Sequence, residues 1–169
     1  MKRDFDRIPD DARLWVLAAP RPLTAAEAEL LRGRIDDFVS RWAAHGAPVE
    51  GASELRYDHF LLLAADEAAT GVSGCSQDSM YDAVKAVERE LGVTLLDAAS
   101  RVWYRDAAGA IRAVPRADFR ALVERGEVGP DTVVFDNTAA TVGAVRNGAW
   151  ERPMRDSWHA RAFRKSAAA

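Results

Sequence analysis

Residues 53–65 read SELRYDHFLLLAA, two extended runs separated by the polar turn Tyr57-Asp58-His59. Such a pattern predicts a β-hairpin. The second run, FLLLAA over 60–65, has no polar alternation. A strand of that kind belongs in the centre of a sheet with both faces covered, because a solvated face would carry polar residues at every second position.

Working outward toward the N-terminus, RLWVLA over 13–18 is short, apolar and bounded by Asp10, Asp11 and the Pro20, Pro22 pair, the signature of a buried strand. Thr24 opens T-A-A-E, a capping box in which Glu27 reaches back to the cap. The helix this predicts has one apolar stripe, Leu31, Ile35, Phe38 and Trp42, and stops near Gly46 and Pro48. Toward the C-terminus, the loop ATGVSGCSQDS over 69–79 leads to a second helix from about 79 to 91, striped by Met80, Val84, Val87 and Leu91 and ended by Gly92. The order β, α, β, β, α is most of a ferredoxin-like split βαβ unit, which a fourth strand near 93–96 would complete.

Beyond residue 98 the pattern changes. A hairpin is expected from 102–105 and 111–114 around a DAAG turn, then a short helix carrying Phe119, Leu122 and Val123, then a strand at 132–135. The fold class read from the sequence is α+β: a βαββα(β) half over 1–98 and a small ββαβ half with an aromatic, basic tail over 99–169.

A chain of 169 residues, 49% apolar and 29% charged, fits one compact domain or two small ones. The net charge of −3 gives no global attraction to nucleic acid or anionic membrane, so neither is an expected partner. Charge is uneven: residues 1–100 hold 11 basic and 18 acidic side chains, residues 101–169 hold 12 and 8. Cys75 is the only cysteine, which excludes an intramolecular disulfide and a four-cysteine zinc site. No apolar run nears the ~20 residues of a membrane-spanning helix, and MKRDFDRIPDD does not read as a secretory signal. A cytoplasmic location without membrane insertion is expected.

Two resemblances follow from the motifs. RLW at 13–15, PRPLT at 20–24, RWAAHGAPV at 41–49, GVSGCSQDS at 71–79, GPDTVVFDN at 129–137 and DSWHARAF at 156–163 together resemble a family of small uncharacterised bacterial proteins, some labelled ABC-transporter ATPases. A P-loop needs G-x-x-x-x-G-K-[ST]; GVSGCS at 71–76 has another glycine spacing and no lysine, so ATP hydrolysis is not expected. Trp103-Tyr104, Gly109, Pro115, Phe119, Leu122, Gly126, Val128, PDT at 130–132 and Val134 are similar in spacing to bacterial GYF-like modules. That resemblance implies a ββαβ peptide-interaction architecture, with Trp150 and Pro153 in the closing Trp-x-x-Pro region.

Chemistry has few candidate seats. The loop before the second helix holds Ser73, Gly74, Ser76, Gln77 and Asp78, whose backbone N–H groups at a helix start suit an anion. Cys75 there is either a nucleophile with a thiol activated by the helix start or a structural thiol in a capping loop. No base is assignable: His59 lies at the opposite end of the central strand, His45 caps the first helix, and His159 sits in the tail. Asp66, Glu67, Asp136 and Asn137 leave strands and suit turn and cap roles. Trp150, Trp158 and Arg161 in the tail form either a docking segment or a strap over the sheet. The expected function is non-catalytic protein or peptide binding without a cofactor. The alternative is a cysteine-dependent enzyme or anion sensor at residues 71–79. Oligomeric state is open.

Overall fold

The computed structural model describes residues 2–68, 71 and 74–164. In chain order it forms β1 (Arg13–Ala18), α1 (Ala25–Arg41), β2 (Ala43–Ala44), β3 (Ala47–Pro48), β4 (Gly51–Arg56), β5 (Phe60–Ala65), α2 (Gly74–Leu91), β6 (Arg101–Arg105), β7 (Ile111–Pro115), α3 (Arg116–Glu124), β8 (Val133–Phe135), α4 (Val142–Arg146), β9 (Glu151–Pro153) and α5 (His159–Ala162). The class is α+β, with antiparallel sheets of order β1-β5-β4 and β7-β6-β8-β9 and a minor β2-β3 ribbon.

The apolar run of β5 is the central strand of its sheet, and every residue in it is buried. Leu61, Leu63 and Ala65 pack with α1 and α2 through Leu31, Ile35, Val39, Met80 and Val84. Phe60, Leu62 and Ala64 point the other way, into a cluster with Trp103, Phe135 and Trp150 of the second sheet. That sheet repeats the arrangement: Trp103 faces the first sheet, while Val102, Tyr104 and Val134 pack under α3 with Phe119 and Phe163. The layers are therefore helix, sheet, sheet, helix. Phe60 sits at the seam, its ring 4.6 Å from Phe135 and 5.0 Å from Trp150.

The β4–β5 turn clasps the seam from outside. Tyr57 and Asp58 have φ of 54° and 53°, a left-handed pair at the centre of the turn that His59 N–H closes on the Arg56 carbonyl at 3.1 Å, within the three-residue loop between paired Arg56 and Phe60. Tyr57 lies parallel to Trp150, donates its hydroxyl to Glu151 at 2.8 Å and carries the Arg105 guanidinium over its ring. A strained turn is thus tied to the second half by one side chain. Trp103 adds an inner tie, its indole N–H donating to the Ala19 carbonyl at 3.0 Å.

Three expectations need correction. The second helix begins at Gly74 rather than 79, because buried Ser76 extends the Met80, Val84, Val87 stripe by one turn and residues 74–78 are helical. His45 does not cap α1, which ends at Arg41; it occupies the β2–β3 turn with φ of 51°. Residues 93–96 form no strand. The amides of Leu95 and Leu96 both donate to one Glu88 carboxylate oxygen, at 2.6 and 2.7 Å. Successive amides of an extended strand point to opposite sides, so a shared acceptor is incompatible with one. Only the Leu95 carbonyl reaches β1, accepting from Ala18 N–H at 3.0 Å.

Because the two halves share the seam, urea unfolding followed by tryptophan fluorescence and by circular dichroism should give one coincident transition, and Phe60→Ala should cost about 3–5 kcal/mol. Two separated transitions would show that the halves fold independently.

Candidate functional site

β1 has one edge paired with β5 and one facing away from it. Leu14 N–H donates to the Ala140 carbonyl at 2.9 Å and Ala18 N–H to Leu95, so the even-numbered residues of β1 present their backbone to this outer edge. Ala12 accepts from Val142 N–H at 3.1 Å, and Arg13 bridges Thr141, so the second half covers the start of the edge. Residue 95 covers its end. Between them the Val16 N–H and C=O face outward, and no described residue pairs with them.

A cleft of about 540 Å³ opens at this point. It lies where the two halves diverge, between residues 96–101 on one wall and 137–140 on the other. Arg13, Arg101 and Arg116 line it, and no aspartate or glutamate does. Arg13 is engaged, paired with Glu67 at 3.2 Å and set over the Trp15 ring at 4.7 Å. Arg116 lies over Trp158 at 5.1 Å, and neither it nor Arg101 has an acidic partner among the described residues. The cleft therefore carries two guanidinium groups without an ion-pair partner among the described residues.

One wall is built by the tail. Asp136, leaving β8, closes a turn by accepting from Thr138 N–H at 3.1 Å and holds Trp158 through its indole N–H at 3.0 Å. Asn137 likewise accepts from the Trp150 indole at 3.2 Å. Trp158 stacks on His159 with ring centroids 3.9 Å apart. Burial pushes the His159 imidazole down to about 4, with Asp136 opposing the shift and Arg116 and Arg152 adding to it. Its Nδ1 lies 2.6 Å from the Ser157 hydroxyl, which also accepts the His159 backbone N–H at 3.1 Å. This serine–histidine pair closes a local turn and both residues are buried.

The residues singled out in the sequence are scattered. Cys75, Gly74 and Asp78 are exposed in the first turns of α2, and Ser73 lies outside the described residues. Ser76 is buried, and its carbonyl accepts from the Trp42 indole at 2.9 Å. Gln77 alone of this group reaches the cleft, where its amide oxygen accepts from Arg13 at 3.3 Å. His59 is committed elsewhere: it is buried and bonded through Nδ1 to the Ala19 carbonyl, and burial lowers the pKa of its imidazole. Trp150 is 1% exposed, its surface used in the seam. Trp158 lines the cleft and Arg161 is exposed on α5 beside it. No set of His, Cys, Asp and Glu among the described residues is grouped to hold a metal ion, and no helix among them is long and apolar enough to cross a membrane.

Sequence reasoning missed Arg101, Arg116 and the outer edge of β1. The 137–148 stretch did carry a usable signal, Thr141 as an N-cap and Asn147-Gly148 as a stop for α4, which positions the segment on that edge. No family model, curated protein or solved structure matches the chain.

Neutral His159 has a pH consequence. Its imidazole is lowered from 6.5 to about 4, so below pH 6.5 the unfolded chain takes up the proton first, and stability falls as pH drops toward 4. Between pH 7 and 5 the loss from this group should be about 2 kcal/mol. His159→Gln should flatten the measured slope by that amount; an unchanged slope would mean the imidazole titrates alike in the folded and unfolded chain.

Proposed function

We propose that the protein is a non-catalytic protein- or peptide-binding module of the cytoplasm, and that the cleft beside β1 is its docking site. The supporting observation is the pair Arg101 and Arg116, without acidic partners in a cleft that no carboxylate lines. Arginine and tryptophan are both enriched at protein interfaces, and Arg116 and Trp158 stand together on this wall. Trp158 is the aromatic of this site, and Arg161, exposed on the short helix that follows it, lies outside the cleft lining. Trp150 supports the site from within by packing at the seam.

The fold-level part of the proposal is that the first half follows a ferredoxin-like plan whose fourth strand is reduced to the single bond at Leu95. The second half is taken as a GYF-like ββαβ module extended by β9 and the tail. In this reading the missing fourth strand and the docking site have one cause, since Glu88 draws residues 95 and 96 away from β1. The cysteine-centred alternative gains nothing comparable: Cys75 is exposed on α2, and His59 and His159 are buried and bonded elsewhere.

A displayed library of random twelve-residue peptides, selected on the full chain, tests this reading. Binders should be enriched, and Ala99→Trp, which fills the cleft from an exposed position, should weaken them at least tenfold while Cys75→Ser leaves them unchanged. Failure to enrich any peptide, or equal binding to the Ala99→Trp protein, would sink it.

A further inference from the structure

We infer that the ligand of this cleft is an extended acidic segment of a partner protein, which pairs its backbone with Val16 and sets its carboxylates against Arg101 and Arg116. The inference rests on the peptide-binding reading and adds to it the chemistry and the pose of the ligand.

The backbone argument begins with which amides are used. Along the outer edge of β1 the Leu14 amide is taken by Ala140 and the Ala18 amide by Leu95, each in a strand-like bond. Val16, between them, has the same outward orientation and no described partner. It is 7% exposed and lines the cleft. A buried backbone pair normally finds a partner within the fold. Here the fold leaves a notch one hydrogen-bonded residue pair long. Four residues of strand span about 13 Å, enough for one bridging residue and the start of each neighbour but too short for a long added strand. A short segment crossing the cleft fits; a folded domain edge lying along β1 does not.

The opposite edge of the same sheet shows what a closed edge looks like. On β4, Gly51 is bridged by Lys2 and its carbonyl accepts from Arg3 N–H at 2.8 Å, while Glu54 and Arg56 pair with each other at 2.6 Å along the strand. Charged side chains and a covering segment protect such an edge from unwanted partners. β1 has no charged residue between Arg13 and Ala18, and its open point is flanked by cations only. Strand addition supplies affinity through main-chain bonds, and side chains on either side supply selection. With Arg101 and Arg116 lacking an ion-pair partner among the described residues, selection favours glutamate or aspartate beside the paired residue.

The test uses fluorescein-labelled, N-acetylated and C-amidated EVEVE and KVKVK peptides with the full-length protein, read by fluorescence anisotropy. EVEVE should bind at least tenfold tighter than KVKVK. Arg116→Glu, at an exposed position, should lower EVEVE affinity several-fold, and adding Arg101→Glu should reverse the preference. Methylating the backbone nitrogens of EVEVE one at a time should cost tenfold or more at one position, the nitrogen that donates to the Val16 carbonyl, and little at its neighbours. Equal tolerance at every nitrogen would overturn the strand pairing, and an equal affinity for KVKVK would overturn the acidic preference. A requirement for a free C-terminal carboxylate would overturn the internal-segment pose. In each of those cases peptides from the library that are blocked by Ala99→Trp would leave the broader reading standing. If neither EVEVE nor any library peptide binds, both fall together.

Discussion

The structure depends on one strand being buried on both sides. Phe60, Leu62 and Ala64 face the second sheet while Leu61, Leu63 and Ala65 face the helices, so β5 is stable only when both layers are in place. Fully burying a large apolar side chain contributes roughly 1.5–3 kcal/mol, and exposing either face would forfeit several such contributions at once. The second half is therefore a structural necessity for the first. Its position is set by the Phe60, Phe135 and Trp150 cluster and by the Tyr57 clasp over it. The uneven charge of the chain is met across the same seam, where Arg146 pairs with Asp10 and bonds the Phe5 carbonyl at 2.8 Å.

Much of this was legible in the sequence. The unalternated FLLLAA run implies two covering layers, and both exist, one of helices and one a second sheet. The Thr24 and Glu27 capping box starts α1 as read, with both reciprocal bonds formed. The hairpin at 101–115 and the helix after Pro115 also fall where turn residues and periodicity put them. Local signals were decisive at each of these points. Where the reading failed, a distant group had intervened. Val93 and Leu95 look like a strand by composition, but Glu88, in the last turn of α2, captures two adjacent amides and bends the chain out of the sheet. Gly74 and Ser76 look like loop, yet the buried position of Ser76 and the Trp42 bond to its carbonyl continue the helix.

The candidate site was less legible, for a related reason. Arg101 and Arg116 lie at the first residues of β6 and α3 and carry no motif; only the meeting of two halves places them on one cleft. The strongest sequence signal for chemistry, the glycine and serine stretch with Cys75, proved to be the start of a helix with its thiol turned to solvent. Trp158 and Trp150 look alike in sequence, aromatics in a basic tail, but the structure divides them. Trp150 fills the seam, and Trp158 is held by Asp136 at the cleft wall. A short shift of chain at residue 95 leaves β1 without its neighbour there and creates the only described interruption of that edge.

Amide hydrogen exchange of the free protein, resolved residue by residue along β1, tests this account most directly. Trp15 and Leu17 donate toward β5, and Leu14 and Ala18 donate to Ala140 and Leu95, so all four should be strongly protected. Val16 should exchange orders of magnitude faster than its neighbours at any pH where the protein is folded. Protection of Val16 equal to that of Trp15 and Leu17 would mean the edge is already filled, and the notch on which the docking site rests would not exist.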